Sequence, residues 1–256
     1  MISIFASILR FTFRSILLIV FMVFLLFPWL MVINHYRGLN TEAGSRKADL
    51  AAISLAKRLN WFFGIRVQLA GSPVEGAVLI AANHISWLDI TVLHSACAMG
   101  FVAKAEIDDW PVFNFIARTG GSIFHQRGSH DSAADVNFLM VQRLQQDRAV
   151  TIFPEGGIKP GSSIRVFHAR MFRAAVDVGC TVQPVMLRYL RNGQRDDEVS
   201  FRENESMLRN FVRLLARSGV IADVHFLPPI SAKDQPRRAL ADAARAAVVN
   251  CYEKDS

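Results

Sequence analysis

Ala77-Val78-Leu79-Ile80-Ala81-Ala82-Asn83-His84-Ile85-Ser86-Trp87-Leu88-Asp89 is the stretch from which the fold is read. Its opening apolar run, Ala77–Ala81, has the length of a buried strand, and Ser86 to Ala98 reads as the helix that follows. His84 and Asp89 stand five positions apart. On one continuous helix that separation is about 140° of rotation, so the two side chains would point away from each other. They meet only if His84 lies in the turn before the helix and Asp89 in its first turn. Ser86 supports that placement, being a good N-cap with an acid three residues on. Asp89 then has two available jobs. It can reach back to the Ser86 N–H, or it can accept the imidazole proton and hold His84 as a general base. Taken alone, Ala82–Asp89 fits a capped helix with an incidental loop histidine as well as it fits a dyad.

Downstream and just upstream, short apolar runs alternate with helical stretches from Ile65 onward, with no internal repeat and no low-complexity linker. Strands are expected at Ile65–Leu69, Ala77–Ala81, Phe101–Lys104, Ser122–His125, Ala149–Phe153, Val182–Leu187 and Asp223–Leu227. Helices are expected at Ser86–Ala98, Asp109–Arg118, Asp131–Gln145, Phe167–Val178, Ser206–Ala216 and Gln235–Cys251. This alternation predicts an α/β domain with a mixed, largely parallel sheet flanked by helices. In such sheets functional groups gather at the carboxyl ends of strands. Asn83, His84, Lys104, Arg127 and Glu155 all fall at those ends.

The amino end has a different texture. Ser15 to Ile33 carries no charge and is roughly long enough to cross a bilayer core as a helix. Pro28 interrupts it, so a kink or a re-entrant path competes with a straight span. A cleaved signal peptide is disfavoured, because no small-x-small site follows and the run exceeds a usual hydrophobic region. Basic residues flank both sides (Arg10 and Arg14; Arg37, Arg46 and Lys47), which leaves orientation by charge undecided. Lys47 to Phe63 is amphipathic and ends on Trp61-Phe62-Phe63, suited to a headgroup layer or to ordinary core packing. We expect a membrane-associating helical segment over 1–60 and an α/β domain over 61–256.

At 256 residues the chain is long enough for such a domain with an appendage. Hydrophobic residues make up 52% and the mean hydropathy is +0.25, high for a water-soluble protein. The net charge of +7 and pI near 9.8 point to an anionic partner such as a membrane surface or a phosphorylated substrate. Nucleic acid is the weakest candidate, because no recognition motif for it is present. Cys97, Cys180 and Cys251 are scattered and odd in number, which argues against a disulfide framework and against a zinc site.

Two more strand-to-turn stretches carry chemistry. In Gly120-Gly121-Ser122-Ile123-Phe124-His125-Gln126-Arg127, a guanidinium emerges past a strand and offers a fork for phosphate or carboxylate. In Ile152-Phe153-Pro154-Glu155-Gly156-Gly157, a proline and two glycines hold a glutamate at a rigid strand end. Thr181-Val182-Gln183-Pro184-Val185 puts a proline inside a buried-looking strand, the mark of an edge or a bulge.

The order and spacing of Asn83-His84-(four residues)-Asp89, Gly121-x-x-Phe124-x-x-Arg127, Phe153-Pro154-Glu155-Gly156 and Val182-x-Pro184-Val185 resemble the glycerolipid acyltransferases of the lysophosphatidic acid acyltransferase type. The resemblance runs from about Trp61 to Ile230 and includes Val102-Ala103-Lys104-Ala105-Glu106 followed by Trp110-Pro111. It implies that His84 deprotonates the free hydroxyl of a lysolipid, that Asp89 supports the imidazole, and that the hydroxyl attacks a thioester without an acyl-enzyme. It also implies that Arg127 binds the acceptor phosphate, that Glu155 and Gly156 seat the glycerol, and that Lys104 is a second anion contact. The acyl donor would be acyl-CoA or acyl carrier protein, with no bound cofactor and no metal. The site would face the cytoplasm from the inner membrane. Two departures bear on the acceptor: Gly157-Ile158 stands where the family commonly has Thr or Ser with an Arg, and Phe167-His168-Ala169-Arg170 replaces a usual Phe-Lys-x-Gly. Lysophosphatidic acid is the expected acceptor and another lysolipid, such as a lyso-ornithine lipid, the alternative. Two further readings stand beside these: an inactive membrane-bound binding protein of the same fold, and a metal-dependent hydrolase using His84, Asp89 and His94.

Overall fold

The computed structural model describes residues 2–104, 123–125, 130–159 and 163–254. Among the described residues the sheet holds β1 (Ile65–Ala70), β2 (Val78–Ala82), β3 (Gly100–Lys104), β4 (Ile123–His125), β5 (Val150–Ile152), β6 (Thr181–Arg191), β7 (Gln194–Arg195), β8 (Val220–Phe226) and β9 (Ile230–Ser231). The helices are α1 (Ile2–Phe21), α2 (Phe27–Gly38), α3 (Glu42–Phe62), α4 (Asp89–His94), α5 (His130–Gln145), α6 (Arg173–Val178), α7 (Met207–Ala216) and α8 (Arg237–Lys254). The strand order is β1-β8-β6-β2-β5-β3-β4, with the short β7 and β9 both pairing with β6. Neighbours along this path are parallel except β6 and β8, which run antiparallel. The sheet is mixed and mostly parallel, and helices cover both faces.

Strand β2 lies at its centre and is buried along its whole length. Its side chains alternate between two cores, as a period of two requires. Val78, Ile80 and Ala82 enter the core shared with α3 and α4, while Leu79 and Ala81 enter the one beneath α5, α6 and α8. A strand apolar on both faces is the form a parallel sheet demands of its middle.

The expected proline disruption is local. Pro184 lies within a central strand and not at an edge, and pairs in register with Ala81 of β2. On its other flank the register shifts by one residue between Val185 opposite Phe226 and Val182 opposite Ile230, a bulge-like irregularity. Its carbonyl accepts the Leu227 N–H at 3.0 Å on the β8 side. A strand residue's N–H and C=O point the same way, so the missing donor also falls on that side. There β8 has ended at Phe226 and β9 has not begun until Ile230, and no ladder bond is lost.

Two helices differ from the sequence expectation. The segment over Ser86–Ala98 is helical only from Asp89 to His94, and Phe167–Val178 is a 3-10 turn (Ala169–Phe172) followed by α6. The expected helix Asp109–Arg118 lies outside the described residues.

At the amino end, α1 runs into α2 through a π-helical turn, Met22–Leu26. Pro28 explains that turn. Proline has no N–H for the carbonyl of Phe24 and its ring crowds that carbonyl, and widening the preceding turn relieves both. The helix from Ile4 to Gly38 is long and apolar enough to cross a membrane. Phe21, Leu26, Leu30 and Ile33 are buried in the same core as Ala48, Ala52, Leu55 and Phe62 of α3. Thr41 caps α3 by accepting the Gly44 N–H. Ile4, Phe5, Ile8, Phe13, Ile16, Val23 and Phe24 face outward. Arg14 Nη1 donates to the carbonyls of Leu215 (3.1 Å) and Arg217 (2.8 Å), and Arg10 donates to that of Ala216, so α1 is fastened to the C-terminal end of α7. Those carbonyls are the ones a helix leaves unpaired at its end.

Candidate active site

β2 and β5 are adjacent and parallel, with Ala81 opposite Ile152. His84 and Glu155 each lie three residues past that pair, so the register alone sets them side by side at the carboxyl edge of the sheet. The His84 N–H donates to Glu155 Oε1 at 3.0 Å. Asn83 joins the same end to β6: its side-chain amide donates to the Leu187 carbonyl and accepts the Leu187 N–H, both at 2.8 Å. That reciprocal pair copies one rung of a strand ladder after β2 has stopped.

His84 Nδ1 lies 2.8 Å from Asp89 Oδ2. Asp89 Oδ2 faces two backbone N–H donors as well as the imidazole, an acceptor's surroundings. Opposite an ionised carboxylate Nδ1 is the donor and Nε2 the basic nitrogen. The imidazole is stacked on Phe153, with centroids 3.8 Å apart and planes at 11°. The ring is thus fixed in both tilt and tautomer. Asp89 Oδ2 also accepts the N–H groups of Ile85 (2.7 Å) and Ser86 (2.9 Å), while Oδ1 accepts the Tyr189 hydroxyl at 2.7 Å. The two jobs open to Asp89 in the sequence are performed by one oxygen. The back-bond to Ser86 and the bond to His84 share Oδ2, and the side chain holds the turn and the imidazole together. Ser86 is not the N-cap: Leu88 precedes the helix, and the Ser86 hydroxyl accepts the Leu88 N–H.

Glu155 is buried, and its Oε2 accepts the Arg165 backbone N–H at 3.2 Å and is ion-paired with Nε of the same residue at 3.2 Å. Arg165 Nη2 also donates to the Gly157 carbonyl. Arg245 of α8 donates to the carbonyls of Ile164 and Arg165, so the C-terminal helix pins the loop that carries this guanidinium. Gly156 has φ +77° and Gly157 φ +139°, conformations that favour glycine. A Cβ on Gly156 would sit 3.6 Å from His168 Nε2, an ordinary van der Waals contact, so the backbone conformation and not lack of space favours glycine there.

These groups line a small open cavity of about 100 Å³, with Asn83, His84, Ile85 and Glu155 on one side and Lys159, Arg165, Asp197, Ser200 and Tyr252 completing it. The Ser200 carbonyl is held by Asn210 Nδ2 (3.2 Å) and Arg213 Nη2 (2.8 Å). Arg213 in turn pairs with Glu205, whose carboxyl is pulled down to about 2 chiefly by that hydrogen bond. Tyr189, Asp197, Ser200 and Tyr252 have site positions that no sequence motif covered, while Asn83 and Phe153 stood inside the quoted motifs without a role. For Tyr189 one signal existed: a hydroxyl inside a buried strand needs a partner.

Of the residues singled out in the sequence, His84, Asp89, Glu155 and Gly156 are brought together. Arg127 lies outside the described residues. Lys104 ends β3, and its side chain is likewise outside the description. His94 is drawn away from the group: it lies in the last turn of α4, buried and stacked on Phe101 at 5.9 Å. Burial, with Arg37 adding to it, lowers its pKa to about 4. Among the described residues no group of three or more His, Cys, Asp or Glu side chains is arranged to hold a metal ion.

Fold and site together define an α/β enzyme built around a strand-end histidine supported by a buried acid. The family profile described as Acyltransferase matches residues 65–188. The lyso-ornithine lipid O-acyltransferase of Pseudomonas aeruginosa is 35% identical over 182 residues, 71% of this chain and 70% of that protein. A 1-acyl-sn-glycerol-3-phosphate acyltransferase of Neisseria gonorrhoeae is 33% identical over 156 residues, 60% of this chain and 58% of its own. The crystal structure of PlsC, the 1-acyl-sn-glycerophosphate acyltransferase of Thermotoga maritima, superposes with a TM-score of 0.72 over 98% of both chains at 16% identity, a likeness of fold. The chain belongs to the acyltransferase family and is an acyltransferase enzyme.

Proposed function

We propose that the protein moves a fatty acyl group from a thioester donor, acyl-CoA or acyl-acyl carrier protein, to the free hydroxyl of a lysophospholipid. The acceptor in this reading is 1-acyl-sn-glycerol-3-phosphate and the product phosphatidic acid. The observation that carries it is the 2.8 Å contact of His84 Nδ1 with buried Asp89 Oδ2 at the wall of the cavity: with the Nδ1 proton given to Asp89, Nε2 is left as the base. Nε2 takes the hydroxyl proton as the oxygen attacks the thioester carbonyl. The tetrahedral centre collapses with loss of the thiolate, and the imidazolium returns the proton to sulfur. Buried Asp89 stabilises the imidazolium through the charge-assisted bond. Glu155 Oε1 has a second lone pair and, with Gly156, is assigned to the acceptor's glycerol. Arg127, with Lys104 as a second contact, is assigned to its phosphate.

A lyso-ornithine lipid is the second reading, favoured by two observations. The relative with 35% identity is named for that acceptor, and the cavity presents a carboxylate, Asp197, as well as the ammonium of Lys159. An amino-acid headgroup, ammonium and carboxylate together, matches that pair. The outward apolar stripe of α1 and α2 would seat the enzyme on the cytoplasmic face of the inner membrane, where both amphiphilic substrates meet it.

The test is a purified-protein assay offering both donors to a panel of lysolipids, with products read by mass spectrometry. We expect phosphatidic acid from lysophosphatidic acid. Acylation of lyso-ornithine lipid alone would replace the first acceptor with the second, and transfer to neither would leave a binding protein in place of an enzyme of this specificity.

A further inference from the structure

Tyr189 is fully buried on β6, and its hydroxyl reaches across to Asp89 Oδ1 at 2.7 Å. Packing alone would be met by phenylalanine, so the extra oxygen calls for another explanation. The carboxylate it touches is loaded unevenly. Oδ2 receives the His84 imidazole and the Ile85 and Ser86 N–H groups, while Oδ1 receives, among the described residues, Tyr189 alone. Burial and the Asp89 charge hold the phenol well above its ordinary range, so it remains a donor at any working pH.

We infer that Tyr189 is a positioning residue that sets the basicity of His84 by drawing negative charge toward the far oxygen of Asp89. The inference rests on the reading of His84 as the base. A hydrogen bond to the charged form of a carboxylate stabilises the charge and spreads it away from other partners. Without the O–H, the charge gathers at Oδ2, against the imidazole, and the imidazolium becomes more favourable. His84 then holds its proton to higher pH. Too basic a histidine is protonated, and idle, over more of the working range. Among the described residues the other ionisable groups facing His84 across the cavity are Glu155, Lys159, Arg165, Asp197 and Tyr252, with His168 beside Gly156. A change at Tyr189 leaves them all in place.

The experiment is an NMR titration of the full-length, detergent-solubilised protein carrying labelled histidine, with His84→Gln used to assign one resonance among the seven histidines. In Tyr189→Phe the His84 midpoint is expected to rise by about half to one pH unit. The acid limb of kcat/KM should move the same way, with the acceptor KM unchanged. Where Tyr189→Phe fails to fold, ring-fluorinated tyrosine in a Tyr36→Phe/Tyr252→Phe background, compared with the unfluorinated protein of that same background, probes the opposite direction. A more acidic phenol donates more strongly, and the midpoint should fall. An unmoved His84 midpoint in the folded variant overturns the inference. A midpoint that moves while His84→Gln still turns over supports the Tyr189–His84 coupling and sinks instead the assignment of His84 as base.

Discussion

Asp89 makes a sharp test possible, because its four hydrogen bonds come from donors of two kinds. An asparagine there can keep its oxygen toward His84, Ile85 and Ser86 and turn its NH2 to Tyr189, whose hydroxyl can rotate to accept. Asp89→Asn thus preserves the turn and the imidazole tautomer and removes only the charge. We expect a loss on the order of 10²-fold in kcat with a nearly unchanged melting temperature, against about 10²–10⁴-fold for His84→Ala. Steady-state kinetics beside thermal melts of the same samples decide it. Near-native turnover in a folded Asp89→Asn protein would reduce Asp89 to a structural cap. At this scale the sequence made the pair legible and the reason for it only half so. Spacing identified His84 and Asp89, but that one oxygen serves turn and dyad together depends on Tyr189, a hundred residues downstream. No local pattern carries that information.

Helix α4 is short because Asp89 is spent on the turn before it, and its other end carries a cost that depends on pH. His94 is buried and binds its proton at about 4 when folded, against 6.5 when exposed. Between those values the unfolded chain binds more protons than the folded one, so stability falls as pH drops through 6.5 and levels off below 4. The full difference is about 3 kcal/mol. His94→Gln should flatten the fall of melting temperature between pH 6.5 and 4 relative to the wild type. Parallel curves for the two proteins would contradict the account. The central strands were readable from their apolar runs. For Pro184 the sequence left edge and bulge open, and only the assembled sheet shows a central strand whose register shifts by one at the handover from β8 to β9. The Arg165–Glu155 pair escaped for a similar reason, since α8 holds the intervening loop from the far end of the chain.

The molecule as a whole divides its labour unevenly between chemistry and cohesion. Every residue lining the cavity follows β1 in sequence, so the first sixty residues supply no group to the site as described. Yet Phe21, Leu26, Leu30 and Ile33 share a core with the sheet. A chain beginning at Arg46 should therefore melt well below the full-length protein and should no longer co-sediment with anionic lipid vesicles. An unchanged melting temperature would show that α1 and α2 are mere ballast. Basic residues near the lipid add about 1 kcal/mol each to the attraction. The clasp between Arg14 and the Leu215 carbonyl spans 201 positions in sequence. At typical rates of synthesis, α1 leaves the ribosome roughly 10–40 s before its docking partner exists. For that interval the most apolar helix in the chain can pack only against α2 and α3, and its α7 side is uncovered. An uncovered apolar side on a nascent chain favours a bilayer or a chaperone as its first partner. Ribosome-bound chains halted before α7 should pellet with lipid vesicles if the bilayer is that partner.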